Sequence, residues 1–354
     1  CSWGCNQSSQ TVRNRSAEDT KSMTFVIAEA GVNHNGALDR ALALIDTAAD
    51  AGADAVKFQT FKASEIVAPG AATAAYQQRN TGEGDQFDML RRLELSLADW
   101  QALAAHCNGR GIEFMSTPFD ADALTMLLGL GMRRVKVPSG EVTNLPLLAA
   151  IGATQKPVVL STGMATMAET AEAVAILRDA GTTDFVVLHC TSEYPAPIAE
   201  INLRAMATMH AALGVPVGYS DHTQGIHVPV AAVAMGATVI EKHFTLDRTL
   251  PGPDHKASLE PDELARMIRE IRDIGQAMGN GEKMPSPTER ETAQLVRRSW
   301  HAARPITTGA VIGPEDVALR RPAAGLPPKT SPVGHTATQA IAAGDPITTA
   351  LIGG

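Results

Sequence analysis

The sequence predicts an α/β protein: a closed (β/α)8 barrel of the TIM type followed by a small β-rich domain. Three observations carry that expectation. After the first 22 residues, short β-branched runs alternate with alanine-rich stretches of helical length, eight of each. Parallel strands need long crossovers, and eight such units in about 250 residues match the size of a closed barrel. A doubly wound open sheet is the competing arrangement, but it usually has fewer strands, and no Gly-x-Gly-x-x-Gly follows any strand here. Second, the helical stretches end on glycine signals, as in Asp50-Ala-Gly-Ala-Asp54, Gly129-Leu-Gly131, Asp179-Ala-Gly181 and Met235-Gly-Ala237. Glycine just past a helix takes the left-handed conformation without a Cβ clash, so each signal reverses the chain into the next strand. Third, the texture changes after Met278 to a linker-like Gly279-Asn-Gly-Glu-Lys-Met-Pro-Ser-Pro287 and then to short pieces broken by Gly and Pro.

In chain order, strands are expected at 25–30, 55–60, 113–116, 134–137, 158–161, 185–189, 217–219 and 239–242. Helices are expected at 37–51, 98–109, 121–128, 145–154, 167–179, 203–213, 225–235 and 260–278. The long loop after the second strand, 61–87, holds Pro69 and Tyr76-Gln-Gln-Arg-Asn-Thr81. A loop of that length in a compact barrel reads as a lid or binding loop. The domains expected are a polar extension at 1–22 with Met23 as the functional start, the barrel at 23–280, a linker at 281–297 with a helix at 288–296, and a β-rich module at 298–354. Within the module, β-like pieces are expected at 300–305, 309–311, 317–321 and 340–347.

Composition excludes several classes. A net charge of −8 with no basic stripe argues against a nucleic-acid surface. No apolar run approaches the length of a bilayer span. Cys1 and Cys5 lie in the extension, while Cys107 and Cys190 fall in a helix and at a strand end, which makes no disulfide framework and points to the cytoplasm.

Catalytic groups of such a barrel gather at the C-terminal ends of its strands. There stand Glu29, then Lys57 and Gln59, then Ser116-Thr-Pro118, then Lys136, Ser139 and Glu141. Next come Ser161, Cys190-Thr-Ser192, Ser220 with His222, and Lys242 with His243. Lysines and hydroxyls together suit a phosphate, and two neutral imidazoles on adjacent parallel strands can hold a divalent ion with positions left for water and substrate. Each group also has a structural reading: the serines as caps, the glutamates as partners of the lysines, the lysines as side chains reaching past the core to solvent, and the histidines as satisfied loop residues; a Schiff-base role for Lys57, Lys136 or Lys242 is a further catalytic alternative.

The runs Ile27-Ala-Glu-Ala-Gly-Val-Asn-His-Asn-Gly36, Gly52-Ala-Asp-Ala-Val-Lys-Phe-Gln-Thr60, Lys136-Val-Pro-Ser-Gly-Glu141, Leu160-Ser-Thr-Gly-Met164, Tyr219-Ser-Asp-His-Thr223 and Glu241-Lys-His-Phe244 resemble the sialic acid synthases. These are phosphoenolpyruvate-dependent synthases of N-acetylneuraminate and related nonulosonates. Arg320-Arg-Pro-Ala-Ala-Gly-Leu-Pro-Pro328 is similar to a segment of their C-terminal SAF, or antifreeze-like, domain. The resemblance implies that His222 and His243 hold Mn²⁺ or Mg²⁺, that Lys57, Lys136, Ser139, Ser161 and Ser220 bind phosphoenolpyruvate, and that Glu29 and Glu141 handle water and protons. It implies that Gln59, Tyr194, Asp254 and Arg321 face the amino sugar, with Arg321 reaching into the partner barrel of a domain-swapped homodimer. Two positions depart from the family pattern, Ser192 for Asn and Ala323 for Gly. The implied reaction condenses phosphoenolpyruvate with N-acetylmannosamine and water. Legionaminate synthesis from a 2,4-diacetamido-2,4,6-trideoxymannose is the alternative, and a non-catalytic sugar-binding protein the alternative of another class.

Overall fold

A computed structural model describes residues 24–68, 70–73, 78 and 85–353. The expected extension, Met23, Cys1, Cys5, Pro69 and most of the 76–81 run lie outside the described residues. The chain divides into two compact units after Gly279. In the first, strands β1 (Phe25–Gly31), β2 (Ala55–Thr60), β3 (Glu113–Pro118), β4 (Val135–Val137), β5 (Val158–Ser161), β6 (Phe185–Cys190), β7 (Val217–Asp221) and β8 (Val239–His243) alternate with helices. The helices are α1 (Leu38–Asp50), the short α2 (Ala63–Ile66) and α3 (Gln86–Arg91), α4 (Leu97–Arg110), α5 (Ala121–Gly129), α6 (Leu145–Ala153), α7 (Met167–Asp179), α8 (Ala205–Leu213), α9 (His227–Ala234) and α10 (Pro261–Ala277).

The strands form one parallel ladder in the order β3-β2-β1-β8-β7-β6-β5-β4. At the remaining seam β3 and β4 lie side by side without a ladder among the described residues, so the barrel is nearly closed. A bidentate pair, Arg134 donating to Glu113 at 2.7 and 3.2 Å, ties the lower end of that seam. Most strands run one or two residues beyond their expected ends, because the polar residues at their tips still pair with neighbours.

Period two along each strand sorts the side chains. Val26, Ala28, Val56 and Phe58 face outward and pack with Ala41, Leu44 and Leu103 of the helices. Ile27, Ala55, Met115, Val159, Leu188 and Val239 face inward as a separate apolar plug. Two residues further along the same strands stand Glu29, Lys57, Thr117, Ser161, Cys190 and Glu241. Each strand thus lays down an apolar layer and then a polar one. The helices start where the sequence supplies caps: Ser96 and Asp99 form a capping box on α4, Thr166 and Glu169 one on α7, and Asp120 caps α5. Each cap contributes about 1 kcal/mol.

The second unit contains α11 (Pro287–Val296) and two small antiparallel sheets, β9 (Ser299–Ala302) with β10 (Val317–Arg320), and β11 (Thr336–Ala337) with β12 (Ile352–Gly353). Its core is Ala302, Ile306, Ile312, Leu326, Ala337, Ile341 and Ile347. The pieces expected at 309–311 and 340–347 form only isolated bridges, Val311 to Thr336, Ile306 to Ile341 and His301 to Pro346. The glycines and prolines that bracket them stop a longer ladder. No helix of the described residues is long and apolar enough to cross a membrane.

Candidate active site

The polar layer opens at the C-terminal end of the barrel into a pocket of about 360 Å³. Glu29, Lys57, Gln59, Lys136, Ser139, Ser161, Tyr194, Ser220, His222, His243 and Asp254 line it. Glu141 does not. It sits in the single turn after β4, where its carboxylate accepts from Asn144 Nδ2 at 2.6 Å, next to the start of α6. Arg321 belongs to the second unit, exposed just after β10.

At the floor, Lys57 Nζ pairs with Glu29 Oε2 at 2.7 Å and donates to Thr117 Oγ1 at 3.2 Å. Lys136 Nζ donates to Ser161 Oγ at 2.7 Å. Between the two lysines lies Glu241, its Oε1 at 3.8 Å from Lys57, at 3.4 Å from Lys136, and accepting from Ser220 Oγ at 3.3 Å. All four charged groups are buried, so each pKa is decided by its partners. Burial pushes the Glu29 carboxyl up to about 7, against the pull of Lys57 and with help from the nearby Glu241 charge. Burial also opposes the Glu241 charge, but Lys136 and Lys57 outweigh it and hold its pKa below the ordinary range. Burial works against the Lys57 ammonium too; Glu241 and Glu29 overcome it and raise the pKa. For Lys136 burial prevails over Glu241, and its pKa is lowered. The floor is therefore a basic pair sharing one firm carboxylate, with a second carboxyl that takes or gives a proton near neutrality.

The pocket wall beside Lys136 is built on close approach. Ser139 Oγ accepts from the Gly163 amide at 2.9 Å. A Cβ on Gly163 would lie 2.1 Å from Ser192 Oγ, so a side chain there would displace the serines. Ser192, one of the two departures from the family pattern, thus lines the site.

Above the floor, β7 and β8 deliver His222 and His243 with ring centroids 5.5 Å apart, and Tyr194 stacks on His222 at 4.0 Å. His222 Nδ1–H donates to the Thr191 carbonyl at 2.7 Å, which leaves Nε2 as the ring atom that could take a metal. Burial opposes a charge on His222, yet Cys190 and the Thr191 carbonyl outweigh it and raise its pKa. Burial, then the His222, Lys57 and Lys242 charges, hold His243 well below its usual value, as a neutral ring with a lone pair. Its Nδ1 is buried without a hydrogen-bond partner, as is Glu241 Oε2. Two neighbouring imidazoles, one of them held neutral, could hold a divalent ion that completes its coordination with water and substrate once His222 gives up its proton. Among the described residues no cluster of three or more His, Cys, Asp or Glu could hold a metal by itself.

Sequence reasoning passed over Glu241 and counted Lys242 and Ser116. Lys242 points out of the barrel to Asp221, 2.5 Å away and fully buried, and to the Thr223 carbonyl. Ser116 faces Thr60 Oγ1 at 2.7 Å and lies outside the pocket lining. The missing signal was parity: a residue two before His243 shares its face, and Lys242 cannot.

A basic, serine-lined floor lies beneath a histidine pair at the C-terminal end of a (β/α)8 barrel, an arrangement with the chemistry to take a small anion. The NeuB family model matches residues 44–283, and an SAF domain model matches 297–352. The chain belongs to the NeuB family and carries an SAF domain. It is 48% identical over 313 residues to the N,N'-diacetyllegionaminic acid synthase of Legionella pneumophila, covering 87% of this chain and 88% of that one. The enzyme of the same name from Campylobacter jejuni is 48% identical over 306 residues, covering 86% and 92%. The crystal structure of an N-acetylneuraminic acid synthetase from Leptospira borgpetersenii aligns with a TM-score of 0.69 at 37% identity, covering 76% of this chain and 90% of that one.

Proposed function

We propose that the protein condenses phosphoenolpyruvate with the open-chain form of 2,4-diacetamido-2,4,6-trideoxymannose and water, giving a diacetamido nonulosonate and phosphate. The observation that carries the reaction class is the Lys57–Glu241–Lys136 floor with Ser161 and Ser220 bonded into it, one layer below His222 and His243. The diacetamido sugar, placed second by sequence, is supported over N-acetylmannosamine by the two relatives at 48% identity, both named for the legionaminic product.

Lys57, Lys136, Ser139, Ser161 and Ser220 bind the phosphate and carboxylate of phosphoenolpyruvate as charge-assisted donors. His222 and His243 would hold a Mn²⁺ or Mg²⁺ ion, which when bound would supply Lewis acidity toward the sugar aldehyde. Gln59, Tyr194 and Asp254, with Arg321 reaching in from the partner chain of a domain-swapped homodimer, orient the amino sugar so that C3 of phosphoenolpyruvate faces the aldehyde carbon. When that C–C bond forms, the aldehyde oxygen takes the electron pair of its C=O bond and, in turn, the proton released from water; positive charge appears at C2, and water adds there. Glu29 takes the proton of that water: it lines the pocket, and its raised pKa suits a base working near neutrality. Glu141, bonded to Asn144 outside the pocket lining, is left a structural role. The C2 adduct then expels phosphate with cleavage of the C–O bond, and the neighbouring Lys136 and Lys57 take up the growing charge.

Phosphate release measured with each sugar tests this. The diacetamido trideoxy sugar is expected to give the higher kcat/KM; a higher value for N-acetylmannosamine reverses the substrate assignment. Label in the bridging oxygen of phosphoenolpyruvate is expected in the phosphate, and its retention in the sugar acid excludes the mechanism. His222→Ala and His243→Ala are expected to lose bound metal, read by elemental analysis, together with activity. Binding of sugar without turnover in the presence of phosphoenolpyruvate and Mn²⁺ selects the non-catalytic reading.

A further inference from the structure

The second unit presents an exposed guanidinium from a backbone that is fastened at successive points. Arg321 makes no hydrogen bond or ion pair with any described residue, while Pro322, Ala323, Gly325 and Leu326 after it are held. The Pro322 carbonyl accepts from Ser299 Oγ at 2.7 Å and lies 3.2 Å from His301 Nε2. The Ala323 amide donates to the Gln294 carbonyl of α11 at 2.9 Å, and the Gly325 amide to Ser299 Oγ, also at 2.9 Å. On the other side of the ring, His301 Nδ1 lies 3.0 Å from the Gly344 carbonyl. Ser299 and His301 are buried, and their side chains meet at 3.1 Å. A Cβ on Gly325 would stand 2.5 Å from the Trp300 carbonyl, so the strap lies directly against β9.

A loop that merely connected two strands would not need a buried Ser–His pair converging on one carbonyl. Such a network spends its hydrogen bonds on the backbone beside the arginine and leaves the side chain unpaired, which is the arrangement expected of a group held out for a ligand. We propose that Ser299 and His301 are positioning residues for Arg321: they fix the 321–325 strap so that the guanidinium meets the acylamino group of the sugar in one orientation. This rests on the reading of Arg321 given above and adds the device that sets its geometry. A serine hydroxyl that both donates to Pro322 and accepts from Gly325 locks two points of the strap at once, so its loss frees the segment without removing the arginine.

Steady-state kinetics of the full chain with 2,4-diacetamido-2,4,6-trideoxymannose and phosphoenolpyruvate tests the proposal. Ser299→Ala is expected to raise the sugar KM about fivefold, the size of one lost buried hydrogen bond, with kcat and the phosphoenolpyruvate KM unchanged. In an Arg321→Ala background the same substitution is expected to add nothing, because the group it positions is gone. An unchanged sugar KM in Ser299→Ala, or a full multiplicative effect in the Arg321→Ala background, overturns the inference. Arg321→Ala without effect on the sugar KM overturns the reading of Arg321 itself, and the single variant distinguishes that failure. If Ser299→Ala does not fold, His301→Gln and His301→Ala replace it. Glutamine, which keeps a donor, is expected to hold the sugar KM near wild type, while alanine raises it; equal values for the two overturn the proposal.

Discussion

Glu241 sets the behaviour of the floor residue by residue. Replacing it by glutamine leaves Lys57 and Lys136 buried with Glu29 as the remaining carboxylate at the floor, and a buried charge that loses its partner costs about 3 kcal/mol. Glu241→Gln is therefore expected to lower the melting temperature, and inorganic phosphate, which supplies the missing charge, to restore more of it than it adds to the wild type; equal responses to phosphate contradict this role. As the proposed base, Glu29 would act in its ionised form, and burial raises its pKa to about 7. The kcat/KM profile is thus expected to fall on the acid side with a limb near that pH, and Glu29→Gln to lose about 10²–10⁴ in kcat. His34 and His255, both buried, have pKa values held down to about 4, by burial first and then by Arg40. With an unfolded value near 6.5, the unfolded chain binds protons between those limits that the native chain refuses, so stability falls as pH falls from 6.5 toward 4. The loss amounts to about 3 kcal/mol per histidine at the lower end. Urea midpoints at pH 7 and pH 5 measure it, and His255→Asn is expected to flatten the difference.

At the scale of elements, the strands carry the site by parity, and their contacts keep it aligned. Gly218 of β7 lies so close to β8 that a Cβ would sit 2.4 Å from the Val239 carbonyl and 2.6 Å from Leu188 Cδ2. Gly218→Ala must move β7 from β8, costing about 1–3 kcal/mol. Because these strands end in His222 and His243, the variant is also expected to bind Mn²⁺ more weakly in equilibrium dialysis; unchanged affinity at reduced stability would separate strand spacing from the histidine pair. The same parity accounts for most of what was legible. Apolar residues two positions before Glu29, Lys57 and Ser161 mark the inward face, so these strands and their chemistry follow from period two. Lys242 departs from the expectation because its residue type suggests the pocket while parity puts it, with its Asp221 ion pair, on the outer face. The Gly- and Pro-broken stretches of the second unit gave no such period, and there the ladder differs most from expectation.

For the molecule as a whole, the division between the two units falls at the start of an exposed run of chain from Gly279 to Met284. Limited trypsin digestion is expected to cut first at Lys283, releasing a barrel fragment and an SAF fragment; initial cleavage within α7 or α10 contradicts that division. The sequence by itself determined the barrel, its order of strands and most of the residues that line the pocket, because alternation and strand-end position are local properties that survive without coordinates. Only the tertiary structure decided how those residues share charge. Burial depth and distances across the barrel put Glu241 between two lysines, raised Glu29 to about 7, turned Lys242 to the outer face and left Glu141 bonded to Asn144. Those outcomes depend on contacts between strands far apart in the chain and on the exclusion of water, which no local pattern encodes.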